Sequence, residues 1–260
     1  MRRHDLRLAG GLLAAVAFVS GCSRASTAPP PATAPDFSGV WLGMGIQSLS
    51  PSDPTGKKKP GEEGDIPYTP WAIEKMKTER PATGPDQTLE DTNDPSLRYS
   101  DPNGYPRISI HPMRFKIVQT RDFIYQLWEY NQNWRQIAMD KPHSEAADVT
   151  WYGDSVAKWE GDTLVVDVIG LKDLTWLDPI GHPHSEDLHI IERVRLADPE
   201  TLVFDLTFED PKVYTKPWTS QLKFKLVRDG VMTENVYTIS DELRFRERFL
   251  GEKPAVPIRR

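Results

Sequence analysis

Thr201-Leu202-Val203-Phe204-Asp205-Leu206-Thr207-Phe208 decides the fold class. Leu202, Phe204, Leu206 and Phe208 fall on every second residue. A strand sends alternate side chains to opposite faces, so one face of this segment is apolar. The pattern recurs at Leu222, Phe224 and Leu226, and before it at Leu188, Ile190 and Val194. Asp198-Pro199-Glu200 reads as a turn between two of these segments. Further upstream, Trp159-Glu160-Gly161-Asp162 reads as the turn of a hairpin joining residues 155–159 to 163–168. Phe123, Tyr125 and Leu127 alternate after a turn at Arg121-Asp122. Residues 115–118 and 134–139 add strands, and residues 214–218, 236–239 and 243–249 are expected to complete the sheet. Short strands joined by tight turns predict a mainly β protein, an antiparallel meander of about nine or ten strands. Such a meander closes into a barrel or folds into a β-sandwich, and alternation alone does not choose between them.

Phe37 to Gly45 reads as the opening strand. Its Gly39-Val40-Trp41 resembles the Gly-x-Trp of the first strand in lipocalin-type barrels, which makes a barrel the expectation and the sandwich the alternative. A barrel of about eight strands can hold one small ligand. Long N-terminal loops separate this strand from the rest. Ser48 to Pro67 is polar and rich in Pro and Gly. Thr69-Pro70 is an N-cap followed by proline at the first helical position, so one short helix is expected over Trp71 to Arg80. Pro81 to Arg107 is irregular, and a loop of that length inside one domain characteristically has a task such as covering a pocket.

The N-terminus gives an address. Arg2, Arg3 and Arg7 precede an apolar run from Leu8 to Val19, too short to span a bilayer but suited to a secretory signal. Val19-Ser20-Gly21-Cys22 resembles a bacterial lipobox. The resemblance implies a signal peptide over residues 1–21, lipidation of Cys22, and a membrane-anchored envelope protein. Ser23 after the cysteine favours the outer membrane. Arg2-Arg3-His4-Asp5-Leu6-Arg7 also resembles a twin-arginine export motif, with Asp5 where an aromatic is usual. Residues 22–35 are rich in Pro, Ala and Thr and read as an extended tether. Residues 36–260 then form a single β-rich domain.

Cys22 is the one cysteine of the chain, which excludes internal disulfides, thiolate metal sites and a cysteine nucleophile in the domain. With 32 Lys+Arg against 38 Asp+Glu the formal charge is −6, which argues against nucleic acid as a partner. Lys57-Lys58-Lys59 sits among Pro and Gly and reads as a solvated loop. Neither a glycine-rich phosphate loop nor a Gly-x-Ser-x-Gly elbow is present.

Asp154 to Asp167 (DSVAKWEGDTLVVD) is followed by Trp176-Leu177-Asp178, Gly181-His182-Pro183-His184-Ser185-Glu186, Leu188-His189 and Glu192-Arg193. Asp210-Pro211, Tyr214 and Pro217-Trp218 come next, and Asp101-Pro102-Asn103-Gly104-Tyr105-Pro106-Arg107 lies upstream. Together these resemble a large, mostly uncharacterised family of exported bacterial proteins. The resemblance implies no activity, and Tyr99 and Ser100 stand near where family members often carry a cysteine.

Three of the histidines fall within residues 182–189. In an extended chain His182 and His184 point the same way, and with His189 they form a candidate site for a divalent metal. The same region offers acid–base chemistry, because an imidazole beside a carboxylate titrates near neutrality. Its candidates are His184, Glu186 and His189, supported by His143 and Asp178, with Arg193 steadying negative charge. The plainer reading is a polar loop whose histidines hydrogen-bond carboxylates. Pro-His-Ser-Glu occurs at both 142–145 and 183–186, which offers a second loop carrying His143. Trp151, Trp176, Tyr214 and Trp218 are candidates to line a pocket for an apolar or aromatic molecule. Glu129 and Glu192 share faces with apolar neighbours and need partners such as Arg135 or Arg193.

Three functions remain open at this point. The first is small-molecule binding in a barrel cavity, with or without a redox-free acid–base step such as isomerisation, elimination or hydration. The second is a metal-dependent hydrolase or lyase. The third is a non-catalytic envelope scaffold or partner-binding lipoprotein.

Overall fold

The computed structural model describes residues 34–145, 148–236 and 238–251. The leader, Cys22 and most of the tether lie outside the described residues. Nine strands follow in chain order: β1 Gly39–Gly43, β2 Arg114–Gln119, β3 Phe123–Trp128, β4 Trp134–Met139, β5 Asp154–Glu160, β6 Thr163–Ile169, β7 His189–Asp198, β8 Thr201–Glu209 and β9 Trp218–Leu226. Each pairs with the next, and β9 returns to β1 with Trp41 opposite Leu226, so the sheet is a closed barrel. Closure leaves no edge strand.

The decisive segment sits as its pattern requires. Leu202, Phe204, Leu206 and Phe208 are buried, and β8 pairs with β9 in continuous register from Thr201 opposite Lys225 to Phe208 opposite Trp218. Phe204, Phe224 and Phe115 meet edge-on or tilted inside the barrel, with centroids 4.9 Å apart for the first two. Trp41 is buried, and its Nε1 donates to the Phe37 carbonyl at 3.0 Å.

The meander has one irregularity. β4 and β5 are parallel, with Ala138 opposite Val156. Residues 140–153 carry the chain from the foot of β4 back to the top of the barrel, and a parallel pair requires such a crossover rather than a tight turn. Residues 236–249, expected as strands, instead hold the helix α3 Ile239–Phe245 and the start of a π turn, Arg246–Leu250. Thr238 and Asp241 explain the difference. The Asp241 carboxylate accepts from the Thr238 amide at 3.1 Å and the Thr238 hydroxyl accepts from the Asp241 amide at 3.3 Å, a reciprocal N-terminal cap. Residue 214, expected in a strand, makes only an isolated bridge with Tyr68.

The strand directions put long connections at one end of the barrel and tight turns at the other. The upper end is covered by residues 44–113, 170–188 and 210–217. These hold α1 Pro70–Met76, capped by Thr69 as expected, a second short helix α2 Pro95–Arg98, and a 3₁₀ turn Arg107–Ile110. The lumen holds one ionic cluster. The Arg135 guanidinium donates to Glu192 at 2.6 Å, Ser155 at 2.9 Å and Gln126 at 3.2 Å, and lies 4.0 Å from the Tyr105 ring. Glu192 thus has the partner it needs, and Glu129 is held by Thr233 and the Arg114 amide.

Candidate functional site

The histidine-rich segment does not form one site. His182 is fully buried between two carboxylates: Nδ1 faces Asp178, and Nε2 lies 2.6 Å from Glu63. An imidazole that faces acceptors on both nitrogens must donate from both, so His182 is an imidazolium. Burial works against its charge, but Asp178 and Glu63 outweigh burial and raise its pKa to about 10. Asp178 also accepts from the Leu49 amide at 2.9 Å. The pair therefore ties residues 49 and 63 of the first loop to the 178–182 turn. His184 is buried on its own, with Nδ1 3.1 Å from the Ser185 carbonyl, and burial lowers its pKa. Glu186 is exposed, and Arg193 on the outer wall donates to Glu160 at 3.0 Å.

His143 and His189 do come together, on the outside of the barrel. Both Nε2 atoms face the same oxygen of Asp167, at 3.1 and 2.9 Å. Their Nδ1 atoms face Asp154 at 3.0 Å and Glu209 at 3.2 Å. The two Pro-His-Ser-Glu copies thus serve different places: His143 pins the crossover to the wall, whereas His184 lies in the core of the cap. The three histidines named for a divalent metal are not brought together. His182 has both nitrogens engaged by carboxylates, and His189 faces the outer wall. Among the described residues no group of three or more His, Cys, Asp or Glu is placed to hold a metal ion.

The four aromatic residues expected to line a pocket pack in the cap, where Trp176 also hydrogen-bonds Glu79. Trp176 lies under the Arg107 guanidinium at 5.9 Å, and Trp151 under Lys172 at 5.3 Å. Trp218 stacks on Phe208 at 4.3 Å, and the Tyr214 hydroxyl donates to the Pro183 carbonyl at 2.7 Å.

Two cavities lie among the covering loops. The larger is about 410 Å³ and is walled by α1, residues 59–62, residues 79–86 and Ile180-Gly181. Ile73, Met76, Pro81, Pro85 and Ile180 supply its apolar surface. Lys59 and Lys77 at its rim are engaged by Asp86 at 2.6 Å and Glu74 at 2.5 Å. Glu62 and Glu79 line it too, and the Glu79 carboxylate accepts a hydrogen bond from Trp176. Burial raises the pKa of Glu79. A Cβ on Gly181, at φ +99°, would stand 3.6 Å from the Glu79 Cβ, so the backbone there approaches the base of this side chain. The second cavity is about 220 Å³, and Thr83 and Pro179 are among its lining residues. Residues 101–107 supply its Asn103 and Arg107.

Sequence reasoning missed Glu79, Met76 and Ile180. The available signal was the length of the 81–107 loop, which does wall both cavities. Comparison with family models, with curated proteins and with solved structures gave no match.

Proposed function

We propose that this chain is an envelope-tethered binding protein for a small apolar or aromatic molecule, held at the loop-covered end of the barrel. The observation that carries the reading is the cavity of about 410 Å³, apolar on most of its wall, with a half-buried carboxyl at Glu79. Its size falls in the range of small-molecule sites, and few convergent polar groups on an apolar surface is their usual composition. The rim lysines are engaged by carboxylates, and the half-buried Glu79 carboxyl, which accepts from Trp176, keeps acceptor capacity on the wall, so the preferred ligand carries an amine or another donor on an apolar body.

The test is titration of ¹³C-methyl-methionine protein with naphthalen-2-ylmethylamine, followed by NMR. The Met76 methyl signal is expected to shift saturably, and the Met76→Trp variant to lose binding. No saturable shift at Met76 would overturn the reading. Glu79 also favours a second reading, a redox-free acid–base step in the same cavity. It predicts exchange of the α-protons of 2-tetralone with deuterated water, abolished in Glu79→Gln. Tethering through Cys22 rests on the lipobox resemblance. It predicts incorporation of labelled palmitate in the cell, lost in Cys22→Ser.

A further inference from the structure

We infer that the outer wall formed by β3 and β4 is a docking face for the surface of an anionic phospholipid bilayer. The inference is independent of the cavities, and it uses the tether reading only for the corner of the barrel at which the anchor enters.

The first observation is composition. The inward residues of β3 and β4 are buried, and the outward ones are Phe123, Tyr125, Leu127, Trp134, Gln136 and Ala138. None of them is charged, whereas Lys158, Arg193, Asp205 and Lys223 stand outward on β5, β7, β8 and β9. Trp134 is 58% exposed. The register puts Lys116, Leu127 and Trp134 in one row across the wall, and Val118, Tyr125 and Gln136 in the next. The Phe123 and Tyr125 rings lie 6.0 Å apart. Residues opposite each other on one face of a sheet are neighbours, so the apolar stripe is continuous.

The second observation is charge. Lys116, Arg121 and Lys141 border the stripe and are exposed, and among the described residues none of the three makes a salt bridge. The Lys141 ammonium lies 4.6 Å from the Phe123 ring. Asp122 and Asp140 are the acids of the adjoining turns, so cations outnumber acids here in a chain of formal charge −6. Tyr and Trp settle at the headgroup level of a bilayer, with an apolar body and a polar tip, and lysines beside them are drawn to anionic lipid.

The third is position. The barrel is closed, so a partner on this wall meets side chains and not a strand edge. A stable protein interface takes about 20–30 residues a side, many more than this stripe supplies. The chain also enters here. Gln119, at the end of β2 beside the Arg121-Asp122 turn, donates to the Pro35 carbonyl at 2.9 Å and accepts from the Phe37 amide at 3.0 Å. An anchor upstream of residue 34 would therefore join the barrel at the corner that carries Arg121, Phe123 and Lys141.

The experiment is fluorescence quenching of the full chain by phospholipids with brominated acyl chains, in vesicles of equal parts phosphatidylethanolamine and phosphatidylglycerol. Quenching is expected, and Trp134→Phe should remove most of it. Lys116→Glu with Lys141→Glu should reduce it several-fold, as should vesicles of phosphatidylcholine alone. Cys22→Ser should lower the amount of protein bound but leave Trp134 the quenched ring. No quenching, or quenching undiminished in Trp134→Phe, would overturn the docking face. Equal quenching in both lipids, or in parent and double variant, would overturn the anionic surface as its partner. Quenching at Trp134 without palmitate on Cys22 would overturn the tether reading alone, and palmitate without quenching the docking face alone.

Discussion

His182 and Glu63 stand 119 residues apart in the chain and meet at 2.6 Å in a fully buried ion pair, completed on the other ring nitrogen by Asp178. This contact closes the first long loop onto the 178–182 turn, beside the wall of the larger cavity. Removing the imidazolium leaves two buried carboxylates facing each other. His182→Gln is therefore expected to cost about 3–5 kcal/mol in chemical denaturation. A loss below about 1 kcal/mol would show that the pair is not buried as described.

The same group fixes a pH dependence. Its folded pKa, about 10, lies above the ordinary value of 6.5. The stability it contributes is thus fully present below pH 6.5 and declines as pH rises towards and through about 10. His111 acts in the opposite sense. Its folded pKa is about 4, so its unfolded form binds the proton first, and stability is lost as pH falls from 6.5 to about 4. Thermal melts across pH should show a shallower alkaline decline in His182→Gln and a shallower acid decline in His111→Phe. Parallel curves for parent and variants would exclude both assignments.

Arg135 and Glu192 make a separate test inside the lumen. Arg135→Met strands a buried carboxylate and is expected to cost about 3–5 kcal/mol. Adding Glu192→Leu should recover most of that loss, because a packed apolar pair of similar volume replaces the ions without the desolvation cost. A double variant no more stable than Arg135→Met would mean that the cluster is needed for packing, independent of its charge.

The barrel was legible because strand alternation is a local signal: Leu202 to Phe208 and Leu222 to Leu226 carry it without reference to anything distant. The parallel β4–β5 pair was not, since nothing in residues 140–153 announces on which side of the sheet the chain returns. Residues 236–249 misled for a related reason. Their apolar spacing fits a strand, but the Thr238–Asp241 cap and a barrel already closed by β9 on β1 leave them helical. Chemistry was harder still. His182, His184 and His189 are close in sequence, yet a turn and a strand start send them to a buried ion pair, the cap core and the outer wall. The walls of the larger cavity combine residues near 59–62, 73–86 and 180–181, mostly irregular or in the short α1, where no period marks which side chains converge.

Gly104 is a position in the 101–107 loop that leaves no room for a side chain. It sits at φ +70°, and an added Cβ would lie 2.8 Å from Thr175 Cγ2 and 3.1 Å from the Trp151 carbonyl oxygen. Thr175 is itself held, donating to the Asn103 carbonyl at 2.8 Å. Gly104→Ala is expected to cost about 1–3 kcal/mol in chemical denaturation. Unchanged stability would show that the loop tolerates a side chain there.

The outer-wall cluster should behave differently from all of these. Asp167 joins His143, on the crossover, to His189, on β7, but its side chain is 45% exposed and both histidines are partly solvated. Solvent-exposed ion pairs contribute about 0–1 kcal/mol, so Asp167→Asn should leave global unfolding nearly unchanged. Among the described residues of 141–149, the ties to the barrel include the His143 and Ser144 bonds to Asp154 and the Lys141 ammonium 4.6 Å from the Phe123 ring, whereas residues 150–152 are held more firmly by backbone bonds and ring stacking. Local opening depends on such sparse contacts and not on the core. Hydrogen exchange at residues 141–149 should therefore accelerate in Asp167→Asn while the amides of β5 and β6 keep their protection. If protection fell equally across β5, β6 and the crossover, the cluster would be part of the global fold and not a local pin.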